Sequence, residues 1–116
     1  ANGVTLDRTG AVLLAPWRGA QAVVAWEPCT GRFKDVAALD GGGNFDGIEV
    51  LGDTIVVASQ VDQSLHVIRN GVDKRRIPLP GKPADLGVDT KRGRVLVPYV
   101  ALDRVDILDF DDLAAP

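Results

Sequence analysis

Two polar residues at the start of valine-rich runs are the strongest candidates for chemistry in this sequence. Asn2 precedes Gly3-Val4-Thr5, and Asp46 precedes Gly47-Ile48-Glu49. An amide carbonyl and a carboxylate are hard oxygen ligands that suit calcium, magnesium or manganese, and zinc is not excluded. The pattern therefore predicts that Asn2 and Asp46 bind a divalent cation. Asn-Gly and Asp-Gly are also common turn dipeptides, so a purely structural role is the alternative.

A second set of side chains follows the next run in each part of the chain. Trp17, Gln60 and Tyr99 come after the runs at 12–15, 54–59 and 95–98. In an antiparallel pair, the start of one strand and the end of the next lie at the same end of the sheet. Aromatic walls with polar tips suit a small organic ligand. Trp17, Gln60 and Tyr99 are therefore the predicted substrate-binding residues.

The remaining reactive side chains favour structural roles. His66 is the only histidine, and it lies between Leu65 and Val67 in a strand pattern, which is typical of a surface or packing residue. Cys29 is the only cysteine, so no internal disulfide can form. The glycine run at 40–44 lacks the following helix and the lysine of a phosphate-binding loop, so it predicts a flexible connection.

These residues are carried by short runs of valine, isoleucine and leucine that recur along the chain. Val4, Ile48 and Leu86 occupy equivalent positions, and each is followed by further runs separated by turn residues. A period of roughly 40 residues with four strands per unit is typical of β-propeller blades. The sequence therefore predicts one all-β domain over 1–116, a partial β-propeller of four-stranded antiparallel blades at about 1–43, 44–81 and 82–112.

Three blades would leave a propeller open. Propellers close with typically four to eight blades, so three would expose two apolar flanks. The expectation is a fragment that forms about half of a six-bladed propeller. The alternative is that two copies associate through the open flanks.

Composition excludes several classes of partner. The formal net charge is −3, which argues against a general nucleic-acid surface and against an anionic membrane surface. No apolar run approaches the length of a membrane span. We therefore expect neither nucleic acid nor membrane as a partner, and the compartment stays open between cytoplasm and bacterial envelope.

Three phrases carry a resemblance to a known family. They are Asn2-Gly3-Val4, Phe45-Asp46-Gly47-Ile48, and the run at 83–89 followed by Arg94-Val95-Leu96-Val97-Pro98. With these phrases the chain is similar to the gluconolactonase and senescence-marker-protein (regucalcin-like) family of six-bladed β-propellers. The resemblance covers nearly the whole chain and corresponds to the C-terminal half of such a protein.

The resemblance implies a metal-dependent lactonase acting on a sugar lactone, a sugar-acid ester or a similar small molecule. In that family an asparagine and an aspartate bind a divalent metal together with a glutamate from a part of the protein that this chain does not contain. Asn2 and Asp46 would be metal ligands, and Asp46 would also be the catalytic base. The alternative is a non-enzymatic binding or scaffold module, which Ala84 at the equivalent position of the third unit favours.

Overall fold

The described part of the chain folds into eleven short strands and one short helix. A computed structural model describes residues 1–18 and 21–114, so positions 19, 20, 115 and 116 of the predicted domain lie outside the described part. The elements are β1 (Val4–Leu6), β2 (Val12–Leu14), β3 (Ala22–Glu27), β4 (Arg32–Ala38), β5 (Phe45–Leu51), β6 (Thr54–Ser59), β7 (Ser64–Arg69), β8 (Val72–Pro78), β9 (Gly87–Asp89), β10 (Arg94–Pro98), β11 (Val105–Asp109) and α1 (Phe110–Ala114).

Each run predicted as a strand overlaps an observed strand. The runs are rich in β-branched residues, which fit a pleated and half-buried surface. Tight turns separate them where the chain offers residues that tolerate a positive φ. Asn70 and Gly71, with φ of 52° and 72°, make the turn between β7 and β8.

The prediction of a β-propeller with separate four-stranded blades is wrong. Eight strands form one sheet in the order β1-β2-β3-β4-β8-β7-β6-β5, because β4 pairs in parallel with β8 at Ala38 and Val72. β1 lies against β5, so the sheet is barrel-like and nearly closed. A separate sheet has only three strands, in the order β11-β10-β9. The all-β class is correct, but the arrangement gives no support for describing the chain as a repeat.

The first core cluster fills the inside of the eight-stranded sheet. The sheet has two walls, of which β1–β4 form the first and β5–β8 form the second. Leu13, Val23 and Ala37 pack from the first wall, and the second wall contributes Phe45, Ile48, Val57 and Ile68. Both β6 and β7 are buried almost throughout, which explains why their sequences are nearly continuous apolar runs.

The second core cluster joins the three-stranded sheet to the outside of β5–β7. Val56 and Leu65 pack against Val95 and Val97, and Leu113 of α1 closes the cluster. The helix α1 is not among the elements predicted from the sequence. This helix follows β11 directly, and the backbone N–H of Phe110 at its start donates to the Gly93 carbonyl at 2.7 Å. Asp111 and Asp112 lie in its first turn, where negative charge is favourable.

Candidate functional site

The starts of β1 and β5 and the segment before β9 meet at one end of the molecule. The Gly47 N–H donates to the Ala84 carbonyl at 3.3 Å, and the Asn2 N–H donates to the Ala15 carbonyl at 2.8 Å. A Cβ at Gly3 would overlap the carbonyl oxygen of Asp46. The Asn-Gly and Asp-Gly pairs are therefore strand starts that allow close backbone contact, and not turns.

Close contact with a neighbouring backbone segment also explains Gly47. A Cβ at Gly47 would overlap the backbone nitrogen of Leu86. Neither Gly3 nor Gly47 is among the described residues with positive φ. Glycine is therefore required at these positions by the neighbouring strand, not by turn conformation. This close packing brings the side chains of Asn2 and Asp46, which precede the two glycines, toward Asp85.

We call this end of the molecule the acidic site, and its members are Asn2, Asp46, Glu49, Gln60 and Asp85. The Gln60 side-chain amide donates to Asp46 Oδ2 at 3.3 Å, and Asn2 Nδ2 donates to the Phe45 carbonyl at 3.4 Å. The Thr5 hydroxyl donates to Glu49 Oε2 at 3.4 Å. Asp85 accepts from the N–H of Leu86 through Oδ1 at 2.8 Å.

The carboxyl groups of the acidic site repel one another. Burial raises the pKa of Asp46, the charge of Asp85 raises it further, and hydrogen bonds from Gln60 and Asn2 offset part of the rise. Burial and then Asp85 raise the pKa of Glu49 in the same way, against a hydrogen bond from Thr5. Ionising either group therefore destabilises the folded protein as the pH rises above the ordinary carboxyl range. In the described part of the chain, no ion pair includes Asp46, Glu49 or Asp85.

Three of the predicted site residues lie together, and two have other surroundings. Gln60 donates to Asp46, and Asn2 donates to the backbone carbonyl of Phe45, the residue before Asp46. Trp17 is half-buried just after β2. Tyr99 is buried, and its hydroxyl donates to Asp106 Oδ2 at 2.6 Å, while the Arg104 guanidinium lies 5.5 Å from its ring centre. The roles of all five in substrate or metal binding stay predictions.

Glu49 is a member of the acidic site that is not among the residues predicted from the sequence. It is the only acidic residue in the interior of the β5 run apart from Asp46. An acidic side chain inside a valine-rich strand was the signal that could have identified it.

A metal centre in the acidic site remains untested. No group of three or more His, Cys, Asp or Glu side chains in residues 1–18 and 21–114 is arranged to hold a metal ion. Asn2 and Asp46 would offer an amide oxygen and a carboxylate, both suitable for a hard cation. Asp46 already accepts a hydrogen bond from Gln60, and Asn2 already donates to the Phe45 carbonyl, so a metal would compete with both contacts.

His66 is fully buried and lies in a second polar cluster. Its Nδ1 is 2.7 Å from Asp73 Oδ2, and its Nε2 is 3.1 Å from Asp62 Oδ2. Both contacts are hydrogen bonds when the ring carries two N–H groups. The ring also meets Phe45 edge-on, with 5.4 Å between the ring centres. We call His66, Asp62, Asp73, Ser59 and Arg76 the His66 network.

The His66 network attaches the connection between β4 and β5 to the sheet. The Asp40 N–H donates to Asp73 Oδ2 at 2.8 Å, the Gly43 N–H donates to Ser59 Oγ at 3.2 Å, and Arg76 donates to the Asp40 carbonyl. His66 is 0% exposed, so it cannot contact a substrate. The network therefore has a structural role, because it holds in place the residues that lead into β5, the strand that carries Asp46.

A cleft of about 840 Å³ opens at the other end of the two walls. Its floor is apolar, with Leu13, Val36 and Ile55 among its lining residues. Its charged rim is balanced, since Arg8 pairs with Asp53 at 2.9 Å and Arg32 lies opposite Glu27 across β3 and β4. The cleft therefore indicates no preferred ligand charge.

The chain matches no protein-family model and no curated protein. Among solved structures it is similar to the extracellular domain of the putative one component system BT4673 from B. thetaiotaomicron, with a TM-score of 0.71 at 15% sequence identity. The alignment covers 95% of this chain and 14% of that chain. At this identity the likeness indicates the fold alone.

The comparisons leave the family and the activity undecided. They give no support for a gluconolactonase or regucalcin-like assignment, for a hydrolase or for metal binding. In the described residues, no helix is both long and apolar enough to cross a membrane.

Proposed function

We propose that the chain is a non-enzymatic binding module whose acidic site takes a small organic cation, an ammonium or guanidinium group. One observation carries the proposal. The pKa values of Asp46 and Glu49 are raised by burial and by Asp85, so the free site holds mutually repelling carboxylates. A bound cation would relieve this repulsion, because opposite charge favours the ionised form of a carboxyl group.

An organic cation suits the site better than a bare metal ion does. Metal ions need several ligands within a short and narrow range of distances, and the described residues offer no such group of three acidic or imidazole side chains. An ammonium or guanidinium group carries several N–H donors that reach carboxylates from different strands. Gln60 and Asn2 supply further polar groups at the edge of the site.

The test is calorimetric titration of the chain with a diamine and with a guanidinium compound of similar length. We expect binding to the wild type that is at least about tenfold weaker in Asp46→Asn, a loss of about 1.4 kcal/mol. Binding should strengthen as the pH rises through the raised pKa of Asp46, because only the ionised carboxylate attracts the ligand.

Asp53→Asn is the matched control for this titration. Asp53 is exposed, and its partner Arg8 is exposed as well, so the substitution removes a carboxylate whose loss changes stability little. Equal loss of binding in Asp53→Asn would mean that net charge, not the acidic site, attracts the ligand. Unchanged binding in Asp46→Asn would contradict the proposal.

The metal-dependent lactonase implied by the resemblance is a second proposal. The observation in its favour is that the raised pKa makes Asp46 a better proton acceptor than an ordinary aspartate. Calcium and manganese titrations, followed by a gluconolactone hydrolysis assay, extend the same experiment. Metal binding and hydrolysis that both disappear in Asp46→Asn would favour the lactonase over the organic-cation module.

A further inference from the structure

Both ring nitrogens of His66 face carboxylate oxygens. Nδ1 lies 2.7 Å from Oδ2 of Asp73, and Nε2 lies 3.1 Å from Oδ2 of Asp62. The imidazole is 0% exposed and the Asp73 side chain is 4% exposed, so bulk water does not reach the contact between them. A neutral imidazole donates one hydrogen bond and accepts one, whereas an imidazolium donates two. Only the imidazolium therefore supplies a donor to both carboxylates.

Neither carboxylate is suited to donate a hydrogen bond back to the ring. Oδ2 of Asp73 already accepts the N–H of Asp40 at 2.8 Å, so it acts as an acceptor. Burial raises the pKa of Asp62, but its hydrogen bonds, including one from His66, outweigh burial and the charge of His66 adds to them, so this pKa is lowered. A neutral ring would therefore place a nitrogen lone pair against an ionised carboxylate.

The charges in contact with the ring balance only when the ring is protonated. Asp62 and Asp73 bring two negative charges. Arg76 stands opposite His66 in the pairing of β7 with β8, and its Nη1 is 3.5 Å from Oδ2 of Asp62. One guanidinium and one imidazolium together offset the two carboxylates. A neutral ring would leave one of these charges without compensation in a largely buried place, which is unfavourable.

The other elements beside the ring change this balance little. The connection between β4 and β5 adds Asp40, whose exposed carboxylate lies 3.6 Å from Arg76 and does not contact the ring. Phe45 of β5 meets the ring edge-on. Val57 is the partner of His66 in the pairing of β6 with β7. The contacts from β5 and β6 are thus uncharged, and the two carboxylates decide the protonation of the ring.

The connection between β4 and β5 joins the buried ring to the acidic site. Its first residue, Asp40, donates its N–H to Asp73, the partner of the ring. At its other end, the Asn44 carbonyl accepts the N–H of Gln60 at 3.3 Å. The side chain of Gln60 donates in turn to Oδ2 of Asp46 at 3.3 Å. A change in how Asp73 is held therefore reaches Asp46 through a continuous series of hydrogen bonds.

We propose that the imidazolium of His66 holds this connection in place, and that loss of its second proton as the pH rises releases the connection and weakens cation binding at the acidic site. The release is independent of the acidic site, whereas the effect on binding rests on the proposed function. Cation affinity should then pass through a maximum with pH. Ionisation of Asp46 strengthens binding first, and deprotonation of His66 weakens it at higher pH.

The first experiment follows the ring by nuclear magnetic resonance, which is direct because His66 is the only histidine. We expect the ring to keep both protons to a higher pH in the folded protein than in denaturant. Asp62→Asn retains an oxygen that accepts from Nε2 but removes the charge, so the second proton should leave about one pH unit lower or more. Asp53→Asn, which removes an exposed carboxylate in the turn between β5 and β6, is the matched control.

Two results of this experiment would overturn the proposal. One is a ring that loses its second proton at the same pH in folded and denatured protein. The other is an Asp62→Asn variant that titrates like the wild type or like Asp53→Asn. Either result would mean that the carboxylates do not hold the ring as an imidazolium.

The second experiment follows the backbone amides of Gly43 and Gln60 over the same pH range. We expect both signals to change as the ring loses its proton, and to change at the correspondingly lower pH in Asp62→Asn. The amide of Gly93, in the turn between β9 and β10, is the reference and should not follow the ring. Amides of Gly43 and Gln60 that stay constant while the ring titrates would overturn the release of the connection.

The third experiment repeats the diamine titration over this pH range. We expect affinity to fall at least about fivefold as His66 loses its proton, the lower end of typical coupling between two sites. Affinity that stays constant while the ring titrates would overturn the coupling. Absence of binding at every pH would contradict the proposed function and the effect on binding, and the amide signals would still decide the release of the connection.

Discussion

At the scale of single residues, burial and neighbouring groups set the pKa values of the carboxyl side chains. Burial and Asp85 raise the pKa of Asp46. Asp62 is also partly buried, but hydrogen bonds from Ser59, Ser64 and His66 outweigh the effect of burial and lower its pKa. Asp62 therefore stabilises the fold above the ordinary aspartate pKa, and this contribution is lost as the pH falls through its lowered value. Asp46 has the opposite effect, since its ionisation destabilises the free protein.

Tyr99 permits a direct measurement at this scale, because it is the only tyrosine. Burial raises its pKa to about 12, and its hydrogen bond to Asp106 contributes to the rise. We expect ultraviolet titration of the phenol to give a midpoint near that value in the folded protein and near 10 in denaturant. Asp106→Asn should lower the folded midpoint. Equal midpoints in folded and unfolded protein would contradict the burial of Tyr99.

At the scale of elements, the connection at 40–44 positions β5 and therefore Asp46. Gly42 has a φ of +74°, and a Cβ there would lie 2.6 Å from Ser59 Oγ and 2.9 Å from His66 Nε2. The glycine-rich sequence therefore reflects close packing on the His66 network as well as backbone freedom. The predicted flexible connection is held at Asp40 and Gly43 by hydrogen bonds.

Gly42→Ala tests this packing. We expect it to lower the free energy of unfolding by at least about 2 kcal/mol, because it combines a strained φ with steric overlap. Gly87→Ala is the control, since a Cβ there would be 3.6 Å from Leu96 in ordinary contact. Its effect should stay within about 1 kcal/mol. Chemical denaturation measures both, and equal effects would argue against the packing role of Gly42.

At the scale of the whole molecule, the sheet is joined unevenly. β6 and β7 pair along their entire lengths and are buried on both sides. β4 and β8 meet only at Ala38 and Val72. The first place to open should therefore be the junction between β4 and β8, because few hydrogen bonds and little apolar burial hold it.

Amide hydrogen exchange should reveal this order. We expect the N–H groups of β7 to exchange slowest and those of β4 at 33–36 to exchange fastest among the strands of the large sheet. Mass spectrometry of peptides from the two strands can measure the difference. Equal protection of β4 and β7 would mean that β4 and β8 are joined more firmly than their single pair of residues indicates.

The sequence by itself determined where strands form and which polar residues start them. Alternating β-branched residues and turn pairs such as Asn70-Gly71 act over a few residues, so their effect is readable locally. For the same reason, hairpin geometry correctly placed Gln60 at the same end of the sheet as Asp46. Asn2 also lies there, because β1 lies against β5 in the large sheet, a contact between distant parts of the chain that no local pattern predicts.

Only the tertiary structure decided how these strands assemble and which side chains share an environment. The pairing of Ala38 with Val72 joins strands far apart in sequence, and no local pattern encodes it. The burial of His66 between Asp62 and Asp73, and the repulsion that Asp85 exerts on Glu49, likewise depend on strands meeting in space. Burial and electrostatic coupling are properties of contacts, and contacts exist only once the chain has folded.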